Sequence, residues 1–359
     1  MSKAPSWTSA VGREEWDGFI EVSNGTPYQL WAWRSVLKES GNDPEYLVYR
    51  KPGGVILAAC PQFRVRVGKY HQKLTGAPFS GYFAGTREGL EPYYGMLPLP
   101  SLFGGEVDLP EAARALQIYL RRFRFPPMSS LELMTSETRV IESFASLGFR
   151  TWKAYGYFLT DLTKTPSSKI WTDTFSKHDR QAIKYFDGLG TSFHLSSAEE
   201  DFARFLKLHQ ETMFQRGYRP LTEQFLTLMR RHLGERLQLA LSVQSGQLIV
   251  GQLVALDRAN QTVCIREIGY SKLRNIHSSV VHSWFKICEW AEKNGFRYID
   301  FGGARADEAY RLKAKFGGGI LDKYVIVVPS ASKVYPTVRG LLQAVRKTKS
   351  AVTRTLQPE

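Results

Sequence analysis

Apolar positions along the first half of the chain recur at spacings that predict a mixture of helices and strands. A helix is predicted over TPYQLWAWRSVLKES, with Thr26 as its N-cap and Pro27 at the first helical position, where a missing N–H costs nothing. Two apolar stretches, EYLVYR and VILAACPQFRVR, flank KPGG and predict a β-hairpin. The elements predicted after it are a helix at EAARALQIYLRRFRF, a strand at SLELMT, a helix at TRVIESFASLGF and a strand at RTWKAYGYFLTDL.

The second half of the chain repeats this order of elements. It predicts a hairpin around QSGQ and then VCIREIGYS (strand), VVHSWFKICEWAEKNG (helix), FRYIDFGG (strand), DEAYRLKAKF (helix) and LDKYVIVV (strand). We therefore predict two copies of one mixed α/β unit, residues 1–162 and 163–330, joined near DLTKTPSSK. Chance resemblance between two ordinary α/β domains is the alternative.

Two basic segments stand outside the repeat. The stretch WTDTFSKHDRQAIKYFDGLG places Lys177, Arg180 and Lys184 at helical spacing, which suits phosphate binding or, equally, a solvated helix face. The tail, residues 331–359, has an apolar stripe among arginines and lysines. It is typical of a basic amphipathic helix at a membrane surface or partner, or of a helix docked on its own domain.

Charge narrows the range of partners more than composition does. The 359 residues carry a formal net charge of +14, which favours polyanions such as nucleic acid, phosphorylated substrates or an anionic membrane face. Simple solubilising charge is the alternative. The three cysteines lack ligand spacing, so no metal site is predicted. No stretch is long and apolar enough to span a membrane, and the N-terminus lacks a signal-peptide h-region, so we expect a cytoplasmic protein.

The first candidate for chemistry is a lysine in the helix DEAYRLKAKF. Ala309, Leu312, Lys313 and Phe316 form one buried stripe, which puts Lys313 at the edge of the inward face and leaves Lys315 pointing away. The preceding strand delivers Asp300 near its C-terminal end, where α/β sheets place ligand clefts. Lys313 and Asp300 are therefore candidates for one cleft, although Lys313 could snorkel to water and Asp300 could pair locally.

The start of the long helix departs from a known cofactor pattern. Acetyl-CoA-dependent N-acetyltransferases carry R/Q-x-x-G-x-G/A there, and its backbone N–H groups bind the pyrophosphate. In SKLRNIHSSVVHSWF, Arg274 meets the first position, but His277 and Ser279 replace the small residues. Lys272 and Arg274 could still meet a phosphate, whereas CoA binding of the usual kind is not expected. The sequence has no GxSxG, P-loop or HExxH motif.

These pieces, in this order, resemble the FemABX-type aminoacyltransferases and their relatives with tandem GNAT-like domains. The resemblance runs roughly from Thr26 to Pro329 and includes YQLWAWRSVLKE with Gln29 and Trp33, SKHDRQAIKYFDGLG, YIDFGG and RLKAKFGGG. Its most specific part is the end, where the family carries an FK-x-x-FGG-like sequence after a YDFGG-like strand. Here Leu312 replaces the usual phenylalanine.

The resemblance implies a fold and a reaction. The fold is α/β (α+β), with two tandem GNAT-like acyl-CoA N-acyltransferase folds, each a mixed central sheet flanked by helices. The reaction is transfer of an aminoacyl group from aminoacyl-tRNA to the amine of a peptide or peptidoglycan precursor, with no cofactor. Lys313 would correspond to the lysine near the reacting ester, where an ammonium stabilises developing charge on oxygen. Asp300 is the candidate for a base.

The resemblance also suggests further contacts. We expect substrate binding by Phe316, Arg305, Tyr310, Glu267 and Tyr82, and tRNA or phosphate binding by Lys177, Arg180, Lys184, Lys272 and Arg274. The expected partners are aminoacyl-tRNA, the amine acceptor and, through the tail, the inner face of an anionic membrane. Some relatives carry a long helical-hairpin arm, but Gly217 and Pro220 interrupt the segment that would form it. The alternatives are an acyl-CoA-dependent N-acyltransferase and a non-catalytic RNA- or membrane-binding protein.

Overall fold

A computed structural model describes most of the chain. The described residues are 6–22, 27–41, 43–51, 53–67, 70–76, 82–83, 92–93, 114–115, 130–134, 142, 145–217, 220–271, 276–304 and 308–327. Lys272, Arg274, Arg305, the tail and most of the helices predicted at EAARALQIYLRRFRF and TRVIESFASLGF lie outside them.

The chain divides into two compact units. The first comprises Met1–Tyr93, Pro98–Ala154 and Asp322–Glu359, and the second comprises Tyr94–Leu97 and Tyr155–Leu321. The prediction placed the whole strand RTWKAYGYFLTDL in residues 1–162, whereas the second unit begins within that strand. The closing strand is divided in the same way, since its residues from Asp322 onward belong to the first unit.

The first unit contains a mixed sheet and two described helices. The strands are β1 (Ser6–Thr8), β2 (Asp43–Arg50), β3 (Ile56–Val67), β4 (Tyr70–Gly76), β5 (Tyr82–Phe83), β6 (Pro92–Tyr93) and β7 (Ser130–Met134), and the helices are α1 (Arg13–Val22) and α2 (Trp31–Glu39). The order β1-β2-β3-β4-β7 is antiparallel except for the parallel pair β4 and β7. The predicted hairpin around KPGG is β2 and β3.

The start of α2 differs from the prediction. Pro27–Gln29 forms a separate 3-10 turn, and α2 begins at Trp31 after Leu30, which has extended backbone angles and no side-chain cap. Asp17 of α1 accepts the Trp31 N–H at 2.7 Å, and the Trp16 indole donates to the Gln29 carbonyl at 2.6 Å. The helix is therefore capped by a residue distant in sequence, which a local pattern cannot reveal.

The second unit supplies the elements around Lys313. Its strands are β8 (Arg150–Asp161), β9 (Ser192–Ser196), β10 (Leu237–Gln244), β11 (Gln247–Asp257), β12 (Thr262–Tyr270) and β13 (Tyr298–Ala304), and β14 (Gly319–Val327) follows them. Its helices are α3 (Lys177–Gly188), α4 (Glu199–Gln215), α5 (Glu223–Leu233), α6 (Ile276–Lys293) and α7 (Glu308–Ala314). A helical turn at Ser167–Lys169, a π-helical turn at Ile170–Thr174 and a 3-10 turn at Gly234–Arg236 complete it.

The sheet of this unit is mixed, as predicted. Its order is β8-β13-β12-β11-β10-β9, and only β12 and β13 run parallel. That parallel pair is joined by α6, which supplies the crossover that parallel strands require. Apolar side chains from α6, β11, β12 and β13 form the core of the unit. In the segment 199–233, where an arm could have been inserted, the described helices are α4 and α5, of 17 and 11 residues.

Candidate active site

Strands β12 and β13 pair over only three residues each. The parallel ladder joins Thr262–Cys264 to Tyr298–Asp300. Beyond it β12 continues to Tyr270 and β13 to Ala304, and β13 shifts register against β8 between Asp300 and Gly303, where Gly302 has φ 73°. Asp300 thus stands at the last paired position, next to the point where the two strands part.

Arg266 meets Asp300 from the neighbouring strand. The register of β12 against β11 shifts between Ile265 and Glu267, so Arg266 is the extra residue of a β-bulge. Bulges re-aim side chains and often lie beside functional sites. The guanidinium Nη1 and Nη2 lie 3.2 and 3.3 Å from Asp300 Oδ2, and both side chains are buried. Asp300 Oδ1 accepts the Gly302 N–H at 2.7 Å.

Burial dominates the electrostatics of Asp300. It raises the pKa of this carboxyl, while Arg266 and the Gly302 N–H oppose the rise because they stabilise the carboxylate. Both carboxylate oxygens already accept hydrogen bonds from these donors. The role of Asp300 as a base stays a prediction.

Lys313 enters the same buried region from α7. Its side chain is only 7% exposed, and Nζ donates to the Gly303 carbonyl at 2.7 Å. Burial lowers the pKa of Lys313 to about 8; Asp300 opposes that shift and Arg266 adds to it. The pattern of the helix placed Lys313 at the edge of a buried stripe, and in the structure it is buried rather than snorkelling to water.

Three threonines hold the end of α7 in place. The hydroxyls of Thr174, Thr160 and Thr165 donate to the carbonyls of Lys315, Phe316 and Gly317 at 2.6, 3.1 and 3.3 Å. These carbonyls follow the last helical turn and have no partner within the helix, so the threonines satisfy them. They come from the π-helical turn, from β8 and from the loop after β8. The segment that carries Lys313 is therefore held by three side-chain hydrogen bonds.

Two glycines after α7, Gly317 and Gly318, are sterically required. A Cβ on Gly318 would lie 2.5 Å from Thr160 Oγ1 and closer still to the Leu159 carbonyl oxygen. Gly317 has φ 70°, and a Cβ there would overlap the Thr165 methyl group. Since neither position leaves room for a side chain, the glycines let α7 approach β8 closely enough for the threonine contacts.

Lys315, two residues along the same helix, has a different environment. Its Nζ lies 2.5 Å from Asp179 Oδ1, and Asp179 also forms the capping box of α3 with Ser176. The pKa of Asp179 is lowered, since Lys315 and Ser176 together outweigh its burial. Lys315 thus links α7 to α3, and the two lysines have different partners.

The predicted substrate-binding residues differ in burial and in the unit to which they belong. Phe316 is fully buried and packs against the rings of Phe175, Trp284 and Phe301, so it is a core residue. Tyr310, on α7, is 38% exposed and remains available for contact. Tyr82 belongs to the first unit, in β5.

Glu267 lies beside a buried histidine. Its carboxylate is 3.8 Å from His209 Nδ1, which donates to the Ile268 carbonyl, while His209 Nε2 accepts the Leu221 N–H. Burial lowers the pKa of His209 to about 4, so the ring is neutral and forms no ion pair with Glu267. His209 therefore links α4 to β12 and to Leu221, which lies between α4 and α5.

The predicted basic helix exists, but its three cations differ. Arg180 Nη1 donates to the Trp171 and Phe175 carbonyls at 3.1 and 2.6 Å, so this residue closes the π-helical turn. Lys177 and Lys184 are exposed on α3. At the start of α6, His277 is exposed and 3.5 Å from Lys315 Nζ, whereas Ser279 is buried.

None of the helices among the described residues is long and apolar enough to cross a bilayer. Within the same part of the chain, no group of three or more His, Cys, Asp or Glu side chains is arranged to hold a metal ion.

Arg266 is the site residue that the sequence analysis missed. An arginine within VCIREIGY looks like an outward-facing residue of an alternating strand. The bulge that turns it toward Asp300 has no local signal in the sequence, although the adjacent charged residues Arg266 and Glu267 in a mostly apolar strand indicate that one of them pairs inside the fold.

The fold of the second unit is that of a GNAT acyltransferase, and a profile of the acetyltransferase (GNAT) domain family matches residues 174–312. Among solved structures, FemX has a TM-score of 0.64 and 13% identity, covering 95% of this chain and all of FemX. L-PGS from Bacillus licheniformis has a TM-score of 0.54 and 14% identity, covering 96% of each chain. A protein of unknown function from Bacteroides thetaiotaomicron has a TM-score of 0.53 and 12% identity, covering 91% of this chain and all of its own.

No curated protein sequence matches the chain. The structural likenesses confirm the predicted GNAT-like fold and the likeness to FemX in architecture. At these identities they establish the fold alone.

Proposed function

We propose that the protein is an N-acyltransferase that moves an aminoacyl group from aminoacyl-tRNA to the amine of a peptide or peptidoglycan-precursor acceptor. The observation that supports this most is Lys313, a buried ammonium held at the diverging end of β12 and β13 and anchored by its helix. A positive charge at low dielectric stabilises oxygen that becomes negative in acyl transfer. The similarity of this fold to the folds of FemX and L-PGS is a second support for the proposal.

Lys313 has two uses in such a step. When the acceptor amine attacks the ester carbonyl carbon, negative charge develops on the carbonyl oxygen and then on the departing ribose oxygen. An ammonium that is already desolvated and fixed needs no reorganisation to stabilise either of them. The net charge of +14 supports a polyanionic donor, since tRNA presents many phosphates.

The test is direct transfer from a labelled donor. Protein is mixed with radiolabelled aminoacyl-tRNA and an amine acceptor, and loss of label from the tRNA into the acceptor is measured. Lys313→Met should lower the rate by about 10²–10³, the usual effect of removing one preorganised donor. Lys315→Met is the matched control, because Lys315 pairs with Asp179 instead. Undiminished transfer by Lys313→Met would sink the assigned role.

The second candidate is an acyl-CoA-dependent N-acyltransferase. The GNAT profile over residues 174–312 favours it, whereas His277 and Ser279 at the start of α6 weigh against the usual pyrophosphate cradle. Calorimetry with acetyl-CoA and longer acyl-CoAs separates the two donors. Tight binding of an acyl-CoA, together with no transfer from aminoacyl-tRNA, would replace the first proposal by the second.

A further inference from the structure

Three buried charged side chains, Arg266, Asp300 and Lys313, lie together where β12 and β13 part. Arg266 and Lys313 are cations, and Asp300 is the carboxylate that interacts with both of them. Arg266 and the Gly302 N–H occupy both oxygens of Asp300. Lys313 Nζ is left with the uncharged Gly303 carbonyl as its hydrogen-bond partner among the described residues. Lys313 therefore feels the charge of Asp300 without a direct bond to it.

Two other buried titratable groups, Cys264 and Asp257, interact with this cluster through Arg266. The thiol of Cys264, on β12, is buried near Arg266 and Asp300, and burial raises its pKa so that it stays neutral. Asp257, at the end of β11, is also buried and held by Asn260; its pKa is raised by burial, with Arg266 opposing. From β8, Thr160 contributes a hydroxyl that is already bonded to the Phe316 carbonyl. Lys313 itself responds to Asp300 and Arg266.

We propose that Arg266 and Asp300 are positioning residues that act on the transfer step through Lys313. Asp300 retains an ammonium ion in a site that would otherwise reject it, and Arg266, by occupying Asp300, keeps that ammonium free to give up its proton. This rests on the proposed function and adds a proton path to it.

The proton path balances without any further reactant. The acceptor nitrogen forms a bond to the carbonyl carbon, and the bond from that carbon to the ribose oxygen breaks. Lys313 gives a proton to the departing oxygen, which leaves as a hydroxyl. The new amide nitrogen then loses its extra proton to the neutral Lys313 amine, which restores the ammonium. A buried lysine suits both halves of this exchange, because burial destabilises its charged form.

The two positioning residues should have opposite effects on the proton of Lys313. Removing Arg266 removes a repelling cation and frees Asp300, so Lys313 should hold its proton to higher pH. Removing the charge of Asp300 takes away the attraction, so Lys313 should lose its proton at lower pH. A purely structural disturbance has no reason to move the two variants in opposite directions.

The experiment compares Arg266→Gln and Asp300→Asn with the wild-type protein in two measurements. The first is the pH dependence of kcat/KM for transfer from aminoacyl-tRNA, whose fall at alkaline pH reports loss of the Lys313 proton. The second is the pH dependence of unfolding, measured with and without Lys313→Met in each background, which titrates Lys313 without any substrate. The double variant Arg266→Gln/Asp300→Asn removes both charges together and serves if a single variant fails to fold.

In both measurements we expect the transition to move up in pH for Arg266→Gln and down for Asp300→Asn. Arg266→Lys, which keeps the charge, should return it toward the wild-type position. If the unfolding transitions shift in opposite directions while the alkaline limb of kcat/KM does not move, the proton path is wrong. The proposed function, with Lys313 in the transfer step, would still hold. The proposal fails if, in both measurements, the pH transitions of the two variants do not shift or shift in the same direction. No transfer by the wild type at any pH would instead remove the proposed function.

Discussion

At the scale of single residues, two lysines two positions apart have opposite roles. Lys313 is buried and contacts a neutral carbonyl, whereas Lys315 is partly exposed and pairs with Asp179. A buried ammonium without a carboxylate in direct contact is costly to the fold. Functional sites often carry such a cost, because the property that destabilises the fold is the one that the reaction uses.

The cost of Lys313 leads to a prediction about stability and pH. Its pKa falls from 10.5 to about 8 in the folded protein, chiefly through burial. Between those values the unfolded chain binds more protons than the folded one, so stability rises with pH across that window and the cost is full below pH 8. At 1.36 kcal/mol per unit, less about 1 kcal/mol for the lost hydrogen bond, Lys313→Met should be more stable below pH 8 by about 2 kcal/mol.

Urea unfolding of the wild type and Lys313→Met across this pH range measures the effect. The advantage of the variant should shrink as pH rises from 8 toward 10.5, because the wild-type lysine then becomes neutral in both states. Lys315→Met is the control, and its difference from the wild type should not follow that course. A difference for Lys313→Met that stays flat with pH would mean that the ammonium is not held in a desolvated site.

At the scale of elements, α7 is too short to position a side chain by itself. It has seven residues and depends on the three threonine hydroxyls and on close contact with β8. The closeness depends on Gly318, which touches Leu159 and Thr160. Gly317 and Gly318 therefore help to position Lys313, because they allow the end of α7 to pack closely.

Gly318→Ala should separate α7 from β8. We expect a loss of stability on the order of 2–4 kcal/mol, because backbone and a buried hydroxyl stand where the methyl group would go. Transfer activity should fall as well, since Lys313 moves with the helix. Gly319→Ala is a matched control one residue away, where nothing lies within 4 Å, and its unfolding midpoint should stay close to that of the wild type. Equal behaviour of the two variants in urea unfolding and transfer would contradict this account.

At the scale of the whole molecule, the excess of positive charge is the feature that a donor such as tRNA would sense first. Of the three basic residues predicted on α3, Lys177 and Lys184 are exposed, and Arg180 is bound to backbone carbonyls. Only the two lysines are therefore suited to phosphate contacts.

Lys177→Glu/Lys184→Glu should weaken tRNA binding and flatten its dependence on salt, because each lost phosphate contact lowers the slope of log K against log salt by about 0.7–0.9. The control is Lys207→Glu/Lys293→Glu, on α4 and α6, where both lysines are also exposed. Each pair of changes takes the net charge from +14 to 14 − 4 = +10. Filter binding over a salt series distinguishes them, and equal slopes for the two double variants would show that α3 is not the contact surface.

The periodic elements and their order can be predicted from the amino-acid sequence. Apolar spacing and turn residues predicted the hairpins β2–β3 and β10–β11, the helix carrying Lys313 and the strand ending near Asp300, because these depend on neighbours within a few residues. The pattern FGGG after that helix also indicated the site, although the sequence does not show the close packing that requires two of these glycines.

Which residues contact one another became clear from the folded structure. The cap of α2 comes from Asp17, the bulge turns Arg266 to Asp300, Phe316 lies in the core, and Arg180 closes a turn instead of facing solvent. Each of these rests on a contact between segments that are distant along the chain or on an irregularity of a strand. The physical reason is that periodicity reports which face of an element is buried, whereas burial, register and charge pairing arise only when the elements pack together.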